Sequence, residues 1–188
     1  MNFMPITHID PSQFPELCRE KTYPWGPTRA VFELGVQPPA HLISNINFVP
    51  FIGDQWLIVR HDRGWGVTGG TLEPGETYLQ AIGRELREEA GARMLSCHLV
   101  GAWHCHSLAA QPYRPHLPWP EFYRLLAYGQ VERVGQPENP LGAEQIEEVA
   151  VLPLAEACRR LATKADDGAE QAEMYRLVAA IKESAEGL

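Results

Sequence analysis

Two stretches rich in apolar and β-branched residues, Leu42 to Phe51 and Gln55 to Arg60, are the first regular pattern along the chain. The Gly53-Asp54 pair between them is a tight-turn signal, so we expect two strands joined as a hairpin. Further stretches of the same kind predict two long strands and one short strand: Arg93 to Ser107, Glu121 to Arg133 and Val149 to Leu152.

Between the strands, the apolar period changes to that of a helix. The predicted buried stripe recurs at intervals of three and four residues: Leu79, Ile82, Leu86 and Ala90. Thr77 is suited to cap this helix, with Gln80 as its capping-box partner, and Gly91 is suited to end it. Residues 154–164 and 169–182 have the pattern of two closing helices. A long helix between strands, followed by strands and helices, predicts an α/β fold: an α/β/α sandwich around a central mixed sheet.

The length of 188 residues predicts a single domain spanning residues 1–188. Residues 1–40 contain seven prolines, and we expect a mostly irregular arm with short strand pieces there. The sheet and the long helix would occupy residues 41–153, and the C-terminal helices residues 154–188.

Composition narrows the class of protein. The formal net charge of -8 argues against general nucleic-acid binding, which requires a basic face. No apolar run approaches the roughly 20 residues of a membrane span, and the N-terminus lacks the pattern of a signal peptide. The four cysteines form no C-x-x-C pair, as expected for reduced thiols in the cytoplasm. The sequence leaves a homodimer open.

Three carboxylates, Glu85, Glu88 and Glu89, fall at positions i, i+3 and i+4 of the predicted helix and would lie side by side, off its apolar stripe. Like charges on neighbouring turns repel, so the arrangement gains nothing for a purely structural helix. A hard divalent cation removes the repulsion and prefers carboxylate oxygens. The pattern therefore predicts a Mg²⁺ site that also accepts Mn²⁺, facing a cleft or solvent. The alternative is an ordinary solvated acidic face.

The surrounding residues have a fixed spacing: Gly70, five residues, Glu76, seven residues, then the run from Arg84 to Ala92, RELREEAGA. This stretch resembles the Nudix box, G-x5-E-x7-R-E-U-x-E-E-x-G-U, in which U is a bulky aliphatic residue. Every charged and glycine position of the box is present. Ala92 is smaller than the usual aliphatic residue, and Thr68 stands where the family often has proline.

The resemblance implies the sandwich fold of Nudix hydrolases and a Mg²⁺-dependent cleavage of a pyrophosphate bond. The substrate would be a small molecule in which a nucleoside diphosphate is linked to another moiety. It implies Glu85 and Glu89 as principal metal ligands and Glu88 as a further ligand or the general base. The implied supporting positions are the carbonyl of Gly69 as a metal ligand, Glu76 and Arg84 as an orienting pair, and Gly70 and Gly91 as structural glycines. Family members differ over which glutamate acts as the base, so that choice stays open.

Some family members recruit another glutamate from the loop before the last strand. Register with Val151 to Leu154 places Gln145 where the family often has this acid, and its neighbour Glu144 is our candidate ligand. A solvated loop acid is an equally good interpretation of Glu144.

The loop with Tyr113, Arg114 and Trp119 is rich in proline and aromatic residues. An aromatic side chain can stack on a base and an arginine can bind phosphate, so these three residues are candidate substrate contacts. The alternative is a loop that covers a sheet edge. Arg60 and Arg63, close to the glycine pair, are candidate phosphate contacts on similar grounds.

The histidines His98, His104 and His106 could form a metal cluster, but we favour partly buried strand histidines, because hard-metal hydrolysis prefers oxygen ligands. Two further functions compete with a hydrolase. A non-catalytic Nudix-fold sensor would bind a nucleotide derivative, but such proteins tend to have damaged boxes. An isopentenyl diphosphate isomerase would need a catalytic cysteine, and none lies between Cys18 and the box.

Overall fold

The computed structural model describes residues 9–23 and 26–186. The first eight residues of the predicted arm therefore lie outside the described residues. No helix in the described part of the chain is both long enough and apolar enough to cross a membrane.

Ten strands and four α-helices make up the described chain. The strands are β1 Lys21–Tyr23, β2 Thr28–Leu34, β3 Ile43–Ile52, β4 Gln55–His61, β5 Gly64–Gly66, β6 Thr68–Thr71, β7 Ala92–Met94, β8 His98–Ser107, β9 Glu121–Arg133 and β10 Glu148–Leu152. The helices are α1 Pro15–Cys18, α2 Tyr78–Ala90, α3 Leu154–Leu161 and α4 Gly168–Glu186. Two short 3-10 turns, Pro11–Gln13 and Ala40–Leu42, complete the secondary structure.

The strands form a mixed sheet in the order β1-β2-β8-β9-β3-β4-β10. The β3–β9 pair is parallel, and the other pairs along this path are antiparallel. The short strands β5, β6 and β7 pair with β4, β3 and β9. The β6 pairing sets Gly69 opposite Asn47, so the glycine pair lies beside the middle of the sheet.

Each face of the sheet has its own hydrophobic core. On one face, Ile46, Phe48 and Leu125 pack with Ile82 and Leu86 of α2. The other face packs against the remaining helices, and its core includes Leu17, Val49, Trp103, Leu126, Leu161, Tyr175 and Val178. Helices on both faces of a mixed sheet confirm the predicted α/β/α sandwich.

The N-terminal region is more regular than the sequence predicted. Residues 28–34 form a full strand that pairs with β8 inside the main sheet. Thr28, Ala30 and Phe32 are buried while the residues between them are exposed, which is the alternation of a strand with one covered face. The prolines of this region lie outside the strand and therefore do not interrupt its hydrogen bonds.

The predicted long strand from Arg93 to Ser107 is in fact two strands, β7 and β8. The N–H groups of Leu95 and Ser96 both donate to the carbonyl of Gln130, at 2.8 and 3.2 Å, so the chain turns there. A Cβ on Gly129 would stand 1.8 Å from the Ser96 carbonyl oxygen, so only glycine allows this close approach. Two β9-paired strands therefore replace one continuous strand.

Candidate metal and substrate site

The caps of α2 are those that the sequence predicted. The Thr77 side chain accepts a hydrogen bond from the Gln80 amide, and the Thr77 amide donates to Gln80 Oε1 at 2.9 Å. Gly91 ends the helix with φ of 54°, and its N–H donates to the Arg87 carbonyl at 3.2 Å. A Cβ there would stand 2.4 Å from the Gly135 carbonyl oxygen. The observed helix ends agree with the predicted ones, and the structural role of Gly91 stays a prediction.

The buried face of α2 differs from the predicted stripe by including an acid. Leu79 is only partly buried, whereas Ala81 and Glu85 join Ile82, Leu86 and Ala90 in the buried set. Glu85 is 8% exposed, because its carboxylate packs against Gly70 of β6. The prediction that all three acids lie off the buried stripe is therefore wrong for Glu85. Burial is the largest influence on the pKa of Glu85 and raises it, although Arg84 opposes the shift.

Arg84 joins the acids of α2 to the loop that precedes the helix. Its Nε and Nη2 donate to the two carboxylate oxygens of Glu76, each at 3.0 Å, which is a bidentate pair. Its Nη1 donates to Glu85 Oε1 at 2.8 Å and Glu88 Oε2 at 3.2 Å, and its Nη2 also donates to the Thr71 carbonyl. Burial disfavours the Glu76 carboxylate, but the hydrogen bonds from Arg84 bring its pKa below the ordinary value. The predicted Glu76–Arg84 pair is thus in contact.

Glu89 has a different hydrogen-bond partner from Glu85 and Glu88. Its Oε2 accepts a hydrogen bond from the Gly69 N–H at 2.9 Å. Burial of the carboxylate raises the pKa of Glu89 well above the ordinary value, and repulsion from Glu85, Glu144 and Glu88 adds to the rise. The Gly69 hydrogen bond opposes the shift only in part. A positive charge beside Glu89 would therefore be strongly favoured.

The three acids of α2 are not gathered round one point. Glu85 and Glu88 turn to Arg84, and Glu89 turns to Gly69. The donor chemistry nevertheless fits a hard divalent cation, because the carboxylates supply oxygen ligands and the like charges of Glu85, Glu144 and Glu88 act on Glu89. Such an ion would replace Arg84 as the positive charge that neutralises Glu85.

Glu144 lies near the same acids but has cationic and histidine partners. Arg63 donates to its Oε1 through Nε at 3.1 Å and through Nη2, and His61 Nδ1 lies 3.2 Å from that oxygen. Among the described residues, the ligand atoms of His61, Asp62 and Glu144 come within 4.8 Å of one another. Gln145 donates instead to carbonyls of its own loop, Pro140 and Ala143, so it does not face the acids.

His61 is a residue that the sequence analysis missed. It is 6% exposed, and burial lowers its pKa. The backbone N–H of Arg63 donates to its Nδ1 at 3.2 Å, so the His61 ring supports the turn between β4 and β5. The sequence offers no signal for this role beyond a histidine at the end of a strand.

A cavity of about 400 Å³ opens next to the box. Thr71, the residue after the glycine pair, lies in its wall together with Asn45 and Arg63. The aromatic residues Tyr113, Trp119 and Phe122 also line it. The cavity therefore combines neutral hydrogen-bonding groups, flat apolar rings and one guanidinium.

The loop between β8 and β9 is fastened to the loop that follows the glycine pair. Arg114 donates to Glu73 Oε1 at 3.0 Å, and His116 Nε2 lies 2.9 Å from the Leu72 carbonyl oxygen. Trp119 Nε1 donates to the Ala109 carbonyl at 3.2 Å, which closes the loop on itself. These contacts hold the loop in place as one wall of the cavity.

Two predicted substrate-binding residues have other partners. The guanidinium of Arg60 lies 3.5 Å from Glu147 and 3.3 Å from Glu148 and is 5.9 Å from the centre of the Trp65 ring. Arg60 and Arg114 do not line the cavity, whereas Arg63, Tyr113 and Trp119 do.

The strand histidines do not take part in this site. His104 and His106 both contact the carboxylate of Glu121 and are half exposed, and His98 lies against the Tyr128 ring, with 5.1 Å between ring centres. They are strand histidines, as favoured, but more exposed than expected.

Comparisons with known proteins place the chain among Nudix proteins. A family model described as NUDIX domain matches residues 46–178. YtkD of Bacillus subtilis (strain 168) is 42% identical over 52 residues, which are 27% of this chain and 33% of YtkD. The nucleoside triphosphatase NudI of Enterobacter sp. (strain 638) is 50% identical over 38 residues, which are 18% of this chain and 27% of NudI. The matched segment thus spans about a third or less of these relatives.

Solved structures share the fold at low identity. The Bacillus subtilis pyrophosphohydrolase BsRppH has a TM-score of 0.62 and 19% identity, with 88% of this chain and 97% of that chain covered. An ADP compounds hydrolase has a TM-score of 0.52 and 18% identity, with 88% and 92% covered. These likenesses support the fold alone.

Proposed function

The chain belongs to the Nudix family, and from that premise we propose that it is a hydrolase of phosphoanhydride bonds that uses Mg²⁺, with Mn²⁺ as a substitute. The proposed substrate is a nucleoside diphosphate linked to another moiety: a further phosphate, a sugar or a second nucleoside. The single observation that carries the proposal is Glu89, a partly buried acid with a raised pKa whose neighbours Glu85 and Glu88 are also acids. Partly buried carboxylates that repel one another destabilise a fold unless a cation neutralises them, and such perturbed acids are typical of catalytic sites.

The residues proposed to hold the cation are Glu85, Glu89, Glu88, the Gly69 carbonyl and Glu144. When bound, the ion would neutralise phosphoryl oxygens and make water a better nucleophile. Arg84 and Glu76 position the acids, since the guanidinium contacts Glu85 and Glu88 and is itself fixed by Glu76. One of the three α2 carboxylates takes the proton of the attacking water.

The cavity is proposed to bind the nucleoside part of the substrate. Trp119 and Tyr113 offer ring faces for stacking on a base, and Tyr113 is 83% exposed, so its ring is open to a ligand. Arg63 is the proposed phosphate contact, because it lines the cavity. Arg60 and Arg114 are engaged in ion pairs outside the cavity and take no direct part in this proposal.

The names of the relatives are consistent with a nucleotide substrate. NudI is named as a nucleoside triphosphatase, and one structural neighbour as an ADP compounds hydrolase. The intact acids favour a hydrolase over a non-catalytic sensor, since a sensor has no need of three carboxylates on neighbouring helical turns with one guanidinium between them. A homodimer and a cytoplasmic location stay predictions.

The proposal is tested with a panel of nucleoside di- and triphosphates, nucleotide sugars, dinucleotides and ADP-ribose. Hydrolysis is scored by phosphate release, with a coupled phosphatase where the product requires it. We expect at least one compound to be cleaved with Mg²⁺ or Mn²⁺ and not in chelator. Glu89→Gln should reduce turnover about 10²- to 10⁴-fold, whereas Glu183→Gln, an exposed acid of α4, should not. Full activity in chelator, or in Glu89→Gln, would contradict the proposal.

A further inference from the structure

The Arg63–Glu144 ion pair joins the cavity to the acids of α2. Arg63 is the one positively charged side chain among the described residues that line the cavity. Both its Nε and its Nη2 donate to a single oxygen, Glu144 Oε1. In this arrangement the guanidinium of Arg63 is directed to a carboxylate rather than to the cavity.

Glu144 also acts on the acids of α2. A carboxylate oxygen of Glu144 lies within 4.8 Å of ligand atoms of His61 and Asp62, a group of described residues that could hold a metal ion, and its negative charge is among those that raise the pKa of Glu89. A divalent cation at Glu89 would attract Glu144 for the same reason that Glu89 now repels it. Glu144 therefore has two alternative cations, the Arg63 guanidinium that it contacts in this structure and the divalent ion.

We propose that Arg63 and the divalent cation compete for Glu144, so that cation binding releases Arg63 to bind a phosphate group in the cavity. This inference rests on the proposed metal-dependent function. The ion pair is mostly exposed on the Arg63 side, with 68% of that side chain accessible, and exposed pairs are weak. The exchange of Arg63 for the divalent cation at Glu144 therefore costs little free energy.

A purely structural role for Arg63 makes the opposite prediction. If Arg63 only held the loop of Glu144 in place, its removal would loosen the loop and weaken cation binding. If the two cations compete, its removal leaves Glu144 free and strengthens cation binding. The sign of the change in affinity separates the two roles.

The test measures Mn²⁺ binding to the full chain by the electron paramagnetic resonance of free Mn²⁺. We expect Arg63→Gln to bind Mn²⁺ about 3- to 10-fold more tightly than the parent and Arg63→Lys to lie between them, since lysine lacks the planar fork. The matched control is Arg93→Gln, which breaks an exposed arginine–glutamate pair with Glu132. Its Mn²⁺ affinity should equal that of the parent.

Glu144→Gln gives an independent readout in chelator. The probe is α,β-methylene ADP, whose bridging carbon prevents hydrolysis, and binding is followed by calorimetry. Because Arg63 is released in this variant, we expect the probe to bind about 3-fold more tightly than to the parent. Equal or weaker probe binding would overturn the inference.

The outcomes separate the inference from the proposed function. Parent protein that binds no Mn²⁺ would overturn both. Parent protein that binds Mn²⁺, together with Arg63→Gln and Arg63→Lys variants that bind it equally or less tightly, would overturn the competition alone. Far-ultraviolet circular dichroism establishes that each variant is folded, and the lysine variant carries the test should the glutamine variant fail to fold.

Discussion

The carboxylate of Glu85 occupies the space in which a side chain at Gly70 would begin: a Cβ built on Gly70 would stand 1.9 Å from Glu85 Oε1. Glycine at this position thus lets the acid of α2 lie against strand β6. The same contact explains why Glu85 is buried and why its pKa is raised. The glycine and the glutamate, 15 positions apart in the box, are one structural unit.

Gly70→Ala should therefore displace the Glu85 carboxylate. Because the atoms in the way are the end of a flexible side chain that can turn aside, we expect the free energy of unfolding to fall by no more than about 1 kcal/mol and Mn²⁺ affinity to fall as the carboxylate moves. The matched control is Gly83→Ala in α2, where a Cβ meets nothing closer than Arg87 Nη1 at 3.9 Å. That change should stabilise the protein by about 0.5–1 kcal/mol, because alanine favours a helix interior. Urea unfolding measures the stability of both variants. Unchanged stability together with unchanged Mn²⁺ affinity in Gly70→Ala would contradict the contact between Gly70 and Glu85.

The raised pKa of Glu89 predicts how stability depends on pH without metal. Above the ordinary value of 4.5, the folded protein retains a proton on Glu89 that the unfolded chain has released. The free energy of unfolding therefore falls as the pH rises through the interval between 4.5 and the raised value. Glu85 acts in the same direction.

The comparison that isolates this effect is the parent protein against Glu89→Gln, both in chelator, with urea unfolding measured from pH 4.5 to 8. Over that range the parent should lose more stability than the variant, since glutamine does not titrate. Parallel curves for the two proteins would show that Glu89 carries no raised pKa.

Arg84→Gln should destabilise the protein at neutral pH. The change removes the partner of Glu76, Glu85 and Glu88 and leaves partly buried carboxylates facing one another. We expect a loss of about 1–3 kcal/mol, the lower part of the range for a broken buried pair, because water still reaches part of the site. The loss should shrink as the pH falls through the lowered pKa of Glu76, because the protonated acid no longer attracts the guanidinium.

The control for Arg84 is Arg87→Gln on the exposed side of α2, where the guanidinium donates to the Gly83 carbonyl. Surface changes of this kind alter stability by less than about 0.5 kcal/mol. Thermal unfolding at two pH values measures both variants, and equal losses from the two would argue against a special role for Arg84.

Trp119→Ala should weaken substrate binding more than catalysis. Stacking of a base on an aromatic ring contributes about 1–3 kcal/mol, so KM should rise roughly 5- to 100-fold while kcat changes little. Trp119→Phe, which keeps a ring, should lose less. Steady-state kinetics on the substrate found in the panel measures both, and an unchanged KM in the alanine variant would exclude Trp119 from the binding surface.

The elements that the sequence determined by itself depend on near neighbours along the chain. Helix α2, its Thr77 and Gly91 caps and the β3–β4 hairpin follow from hydrogen bonds and turns within a few residues, and their limits agree with the structure. The box likewise predicted the acids of α2 and the Glu76–Arg84 pair. Glu76 and Arg84 are eight positions apart, a distance that one short loop and two helical turns span.

Only the tertiary structure decided the contacts between distant segments. It buried Glu85 against Gly70 and tied the loop between β8 and β9 to Glu73. It also brought Arg63 into contact with Glu144, which is 81 positions further along the chain. It also paired β2 with β8, and no pattern within residues 1–40 predicts this pairing. The physical reason is that spacing along a chain fixes which side chains share a helix face, whereas contacts between distant segments depend on which strands and loops the folded sheet brings together.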